Sequence, residues 1–246
     1  MQIHKSLGLV APPTLWRRRF RQIIGAWRIA SVAVLLLLLG AGGWSARAQP
    51  ALPVGITKED LFGAMVRDAK WKKLPIPVCW EQASAADAPY RAITRTAVEQ
   101  TWERSSAVRF VGWNVCTSTS RGIRIAVADT GPHTKALGRY LDARPQGMVL
   151  NFTFATWSPS CAATRDYCIY TIAAHEFGHA LGFTHEQNRP DAPGKCQDMA
   201  QGTTGDYNVT KYDPMSIMNY CSPVWNGDGK LSELDVEAVQ WVYGQP

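Results

Sequence analysis

The apolar and polar positions of this chain follow two periods. Across residues 89–105, Ile93, Ala97 and Trp102 recur at helical spacing among many charges, which predicts a helix. Residues 108–113, 122–127 and 148–154 alternate and are rich in β-branched and aromatic side chains, which predicts three strands. Residues 74–80 predict an earlier strand, whose prolines Pro75 and Pro77 mark an edge or a strand entrance. A short helix is expected over residues 58–68. Near the C-terminus, Ser232 and Asp235 have the spacing of a capping box, with Leu231 and Val236 in staple positions. Leu234, Ala238, Trp241 and Val242 then form an apolar face that Gly244 ends, a helix expected to be structural. This order of elements predicts an α+β domain with a mixed sheet packed on helices.

The first 48 residues break the pattern. Seven basic residues and no acids precede and flank an apolar run that holds five consecutive leucines. Ala46-Arg47-Ala48 then fits an A-x-A cleavage site, so residues 1–48 are expected to be an export signal with Gln49 as the new N-terminus. The rival is an uncleaved anchor, because residues 29–46 form an uncharged stretch of 18 residues. Positive-inside topology places the rest beyond the cytoplasmic membrane in either case, secreted or periplasmic. Residues 49–70 then form an N-terminal segment or short pro-region, and residues 71–246 the catalytic domain.

Charge adds little once the leader is set aside. The chain carries a formal +6, but without those seven residues 19 basic side chains face 20 acidic ones. The basicity belongs to the leader, and nucleic acid is not an expected partner. Cysteine usage agrees with export: Cys79, Cys116, Cys161, Cys168, Cys196 and Cys221 all follow the leader. No C-x-x-C pair is present, so three disulfides are preferred to metal ligation, with 15 pairings open.

The chemistry is concentrated in residues 175–186. His175 and His179 lie four apart, so on a helix they project from one face and can share a metal ion. Glu176 stands beside the first ligand, as a general base for water needs. Gly182 permits a left-handed turn that ends the helix and lets His185 return as a third ligand. Three protein ligands leave a position open, the mark of a catalytic zinc rather than a closed structural one. Downstream, residues 212–220 have the spacing of a methionine turn, with Met218 as an apolar floor beneath the imidazoles.

The motif H-E-x-x-H-x-x-G-F-x-H-E over 175–186, with Arg189-Pro190-Asp191 and Ser216-Ile217-Met218-x-Tyr220, resembles the metzincin zinc endopeptidases and within them the astacin family. The resemblance implies a two-part catalytic domain. A sheet-bearing N-terminal half with a long active-site helix would face an irregular C-terminal half and C-terminal helix across a cleft. It implies one catalytic zinc, and that Tyr220 can be a fifth ligand at rest and swing away to stabilise the oxyanion. Three departures stand out. Asn219 and Cys221 replace the family's usual histidine and glycine, and Phe62-Gly63-Ala64 lacks the inhibitory F-x-G-D aspartate. With Gln49 as N-terminus, Glu186 is also not assumed to bind a buried terminal amine.

The expected function is a secreted endopeptidase acting on proteins or peptides, a monomer that meets membrane only through an uncleaved leader. A catalytically silent zinc-binding protein of the same fold, or a zinc amidase acting on cell-wall peptides, would use the same ligands. Arg189, Lys195 and Lys211 lie where such enzymes shape their specificity pocket, which points to acidic side chains after the scissile bond. His133 reads as a solvated loop residue. Residues 226–229 lack the further acids of a calcium loop and read as a turn.

Overall fold

The computed structural model describes residues 64–246 except Tyr207. The expected export signal, most of the 49–70 segment and the greater part of the predicted helix at 58–68 lie outside the described residues. Of that helix, a 3-10 turn at Arg67–Ala69 is seen.

Five strands form one mixed sheet, β1 (Ile76–Trp80), β2 (Phe110–Val115), β3 (Ile123–Val127), β4 (His133–Thr134) and β5 (Met148–Leu150). Their order is β2-β1-β3-β5-β4, parallel except where β4 runs antiparallel to β5 at the edge. The strand at 74–80 is therefore internal rather than an edge. The exception to the proline rule has a local cause. Ile76 N–H bonds Arg109 O on the β2 side, so the donor that Pro77 lacks would have faced β3. Pairing with β3 begins only at Val78, one residue later. The third predicted strand is also shorter than its pattern. Asn151 Oδ1 accepts from Thr153 N–H and Phe154 N–H, an Asx turn that ends β5 at Leu150.

The helices are α1 (Ala88–Val98), α2 (Pro159–Ala163), α3 (Arg165–Leu181), α4 (Gly194–Gln197) and α5 (Glu233–Tyr243). The predicted helix at 89–105 is α1, which continues as a π-helical turn over Glu99–Glu103. The wider turn carries Trp102 into the core, where its Nε1 donates to Ala174 O on α3 at 2.8 Å. Buried Ile76, Val78, Ile123 and Ile125 of the sheet, with Phe110 edge-on to Phe177 of α3, form the main core. Chain entering at Ala64 and Met65 is packed into the same body through Thr184 N–H to Ala64 O and Val66 N–H to Gly182 O.

The C-terminal helix carries the predicted capping box, Ser232 Oγ accepting from Asp235 N–H while Asp235 accepts from Ser232 N–H. Its buried face is rotated from the expected one. Asp235, Ala238, Val239, Val242 and Tyr243 are buried, and Leu234 and Trp241 are half-buried. The cysteines form three disulfides, Cys79–Cys116, Cys161–Cys168 and Cys196–Cys221.

Candidate metal centre

The site is built on the C-terminal half of α3. His175 and His179 project from one face of the helix, with ring centroids 4.8 Å apart. Gly182 closes the helix at φ 103°, a left-handed conformation, and the chain returns with His185. The ligand nitrogens of these three histidines lie within 4.8 Å of one another, the one such cluster among the described residues.

Each imidazole is fixed from behind by a backbone carbonyl. His175 Nδ1 meets Ile217 O at 2.7 Å, His179 Nδ1 meets Phe183 O at 2.8 Å, and His185 Nδ1 meets Gln201 O at 2.9 Å. A carbonyl only accepts, so each Nδ1 carries the proton and each Nε2 presents a lone pair. His179 Nε2 and His185 Nε2 then face one another at 3.1 Å, and His175 Nε2 is buried with no hydrogen-bond partner among the described residues. Converging lone pairs repel unless a cation stands between them, and three neutral imidazoles are a donor set that suits zinc. The surroundings keep them neutral. Burial, with the neighbouring His185 adding to it, pulls His175 down to about 3, and burial lowers His179 and His185 as well.

Glu176 is buried beside this cluster, with Oε2 unpartnered among the described residues. Burial pushes its carboxyl up to about 8. The Tyr220 ring stacks on His175 at 5.1 Å between centroids and 14° between planes, and lies 4.5 Å from His185. Burial, and then the charge of Glu176, raises its phenol. Met218 is buried under the helix. A Cβ built on Gly178 would stand 2.4 Å from Met218 Sδ and 3.0 Å from Trp102 Cζ2, so the glycine between the two histidines is what lets both side chains approach.

The cleft over these residues is lined by His133, Thr134 and Ala136 of the β4 region and by Gln201 and Thr203. His133, expected as a solvated loop residue, is exposed but belongs to the edge strand that lines the cleft. Arg189, expected to shape the specificity pocket, has its charge engaged inside the protein. It is fully buried and pairs with Asp191 at 2.8 Å and Glu186 at 3.4 Å. Lys195 and Lys211 are exposed. Glu186 also accepts Asp213 N–H at 2.8 Å. Residues 226–229 form the expected turn, a run of left-handed φ values from 44° to 71°.

Sequence reasoning missed several participants. The three carbonyls behind the histidines have no signature, because any residue supplies one. Gln187, whose Oε1 accepts from Tyr220 N–H at 3.1 Å, sits directly after the motif unmarked. Gly178 did carry a signal: a glycine inside a helix costs about 1 kcal/mol and points to close approach.

Residues 64–240 match the profile of the peptidase family described as Astacin. Among solved structures, myroilysin aligns with a TM-score of 0.52 at 20% identity, covering 75% of this chain and 100% of its own, a likeness of fold. High choriolytic enzyme 1, a hatching enzyme zinc-protease from Oryzias latipes, aligns at 0.47 and 21% identity over 73% of this chain and 96% of its own. Interstitial collagenase from Bos taurus is 29% identical over 80 residues, 32% of this chain. The matched region spans only 12% of the collagenase. With a family profile matched over most of its length and three histidines converging on one point, the chain belongs to the astacin family of zinc peptidases.

Proposed function

We propose that the protein is a secreted zinc endopeptidase in which His175, His179 and His185 hold the metal and Glu176 is the general base. The observation that carries the reading is the convergence of three proton-free Nε2 atoms beside a buried, unpartnered carboxylate oxygen. Zinc, when bound, supplies a Lewis acid that makes water acidic enough to react at neutral pH. Glu176 Oε2 takes the proton of the attacking water and returns it to the leaving amine nitrogen. The substrate lies extended along the cleft, with its main chain against the free edge of β4. The Tyr220 hydroxyl, carried on a ring beside His175 and His185, donates to the oxyanion. Family membership and three disulfides support an extracytoplasmic, protein-cleaving role.

The test is digestion of an unfolded protein by the zinc-loaded enzyme and by Glu176→Gln. The variant is expected to bind zinc in the same ratio and to lose activity by a factor of about 10²–10⁴, the usual worth of a general base. Robust cleavage by the variant would sink the mechanism. Cleavage of purified cell wall but not of denatured protein would favour the amidase reading instead.

A further inference from the structure

Tyr220 is held by its backbone as well as by its ring. Its N–H donates to Gln187 Oε1 at 3.1 Å. The next residue, Cys221, donates its N–H to Asn219 Oδ1 at 2.9 Å and is bonded through sulfur to Cys196. Two further bonds run alongside: Glu186 N–H donates to Met218 O, and Asp213 N–H to Glu186 Oε1. The segment that follows the third histidine is thus stitched to the segment that carries the tyrosine. Gln187 makes the contact closest to the tyrosine itself.

Gln187 is an expensive residue for that position. It is fully buried, and its Nε2 meets no acceptor among the described residues. An unpaired buried amide donor is destabilising, a penalty that an apolar side chain of the same length does not carry. If filling space were its role, methionine would fill it better. The part of the side chain that is used is the carbonyl, and what it holds is the Tyr220 backbone.

We infer that Gln187 is a positioning residue: its side-chain carbonyl fixes the backbone of Tyr220 and so sets where the tyrosine stands over His175 and His185. The inference rests on the reading that Tyr220 acts in catalysis. Gln187 touches neither substrate nor metal in this role, and acts only through the tyrosine.

The experiment is a double-mutant cycle on the zinc-loaded enzyme, with Gln187→Met, Tyr220→Phe and the double variant assayed for kcat and KM on one peptide. A second readout is hydrogen exchange of the Tyr220 amide in the metal-free protein. Gln187→Met is expected to lower kcat by about 10–100-fold with KM and zinc content unchanged, as loss of an outer partner does at metal sites. It should speed exchange at the Tyr220 amide and leave the Glu186 amide protected. In the Tyr220→Phe background it should cost nothing further. Equal slowing in both backgrounds assigns Gln187 a general structural role and overturns the inference. Slowing by Tyr220→Phe with none by Gln187→Met also overturns it, but leaves the tyrosine reading intact. Full activity in Tyr220→Phe overturns the tyrosine reading and the inference with it. Should Gln187→Met fail to fold, Gln187→Asn, which withdraws the carbonyl by one methylene, is judged by the same outcomes.

Discussion

Asp235 and Ile217 join the C-terminal helix to the zinc site: Asp235 Oδ2 accepts Ile217 N–H at 2.9 Å, and Ile217 O in turn faces His175 Nδ1 at 2.7 Å. The other carboxylate oxygen accepts from Ser216 Oγ at 2.7 Å, and Ser232 N–H completes the set. The helix cap is therefore also the outer support of His175, one of the proposed metal ligands. Asp235→Ala is expected to cost about 2–4 kcal/mol in stability, from a lost cap and newly unpaired donors. Zinc affinity should fall about 10–100-fold, as outer-partner loss does at metal sites. Denaturant unfolding and competition with a chelator measure the two. Unchanged zinc affinity would mean that the relay through Ile217 carries nothing.

The same carboxyl sets a pH dependence. Burial pushes Asp235 up to about 6, against the pull of its three donors. Its folded value lies above its ordinary 3.8, so between these the native state holds more protons than the unfolded chain. Stability contributed by Asp235 is then complete below about pH 4 and is lost as pH rises through 6. Measured from pH 4 to 7, the stability of the parent relative to Asp235→Asn should fall. Glu81 behaves in the opposite sense. Its hydrogen bonds from Arg124 lower its pKa, so its contribution is present above 4.5 and disappears as pH falls. Arg124→Met should flatten that acid limb and leave the Asp235 window alone.

Gly178→Ala sets two magnitudes against one another. Helix propensity favours alanine by about 1 kcal/mol. The new Cβ would meet Met218 Sδ at 2.4 Å and Trp102 Cζ2 at 3.0 Å, both side chains buried. Overpacking of this kind costs about 1–3 kcal/mol, so a net loss is expected, with the methionine displaced from under the histidines. A thermal melt decides the sign. A stabilised variant would show that the floor of the site is plastic.

Removal of the metal should abolish cleavage and lower the melting temperature, and zinc should restore both. The three histidines come from a helix and from the turn beyond it, so metal bound only by the native state adds to stability by mass action. Calorimetry with and without chelator reads the shift. A melt indifferent to chelation would place the metal elsewhere.

Much of the site was legible because its determinants are local. His175 and His179 share a face through helical periodicity alone, and Gly182 announces the left-handed exit that brings His185 back. The Ser232–Asp235 box was equally local. What stayed hidden depends on distant chain. Disulfide partners 37, 7 and 25 residues apart cannot be chosen among 15 pairings by spacing. The internal place of β1 required knowing that the donor missing at Pro77 falls where β3 has not yet begun to pair. Arg189 looked like a specificity residue because its place in the chain resembles that of a pocket residue, while its partners Asp191 and Glu186 take it inward.

The Cys196–Cys221 bond closes a ring of chain whose residues 197–204 are exposed throughout. An exposed run is where a proteolytic enzyme is most open to cutting by its own copies. A single nick inside this ring releases no fragment, because each new end remains on a piece tied to the other through sulfur. Gln201, whose carbonyl orients His185, lies inside the ring and stays attached whichever bond is cut. The bond that anchors the residue after Tyr220 would thereby keep the chain in one piece after a single cut in this exposed loop.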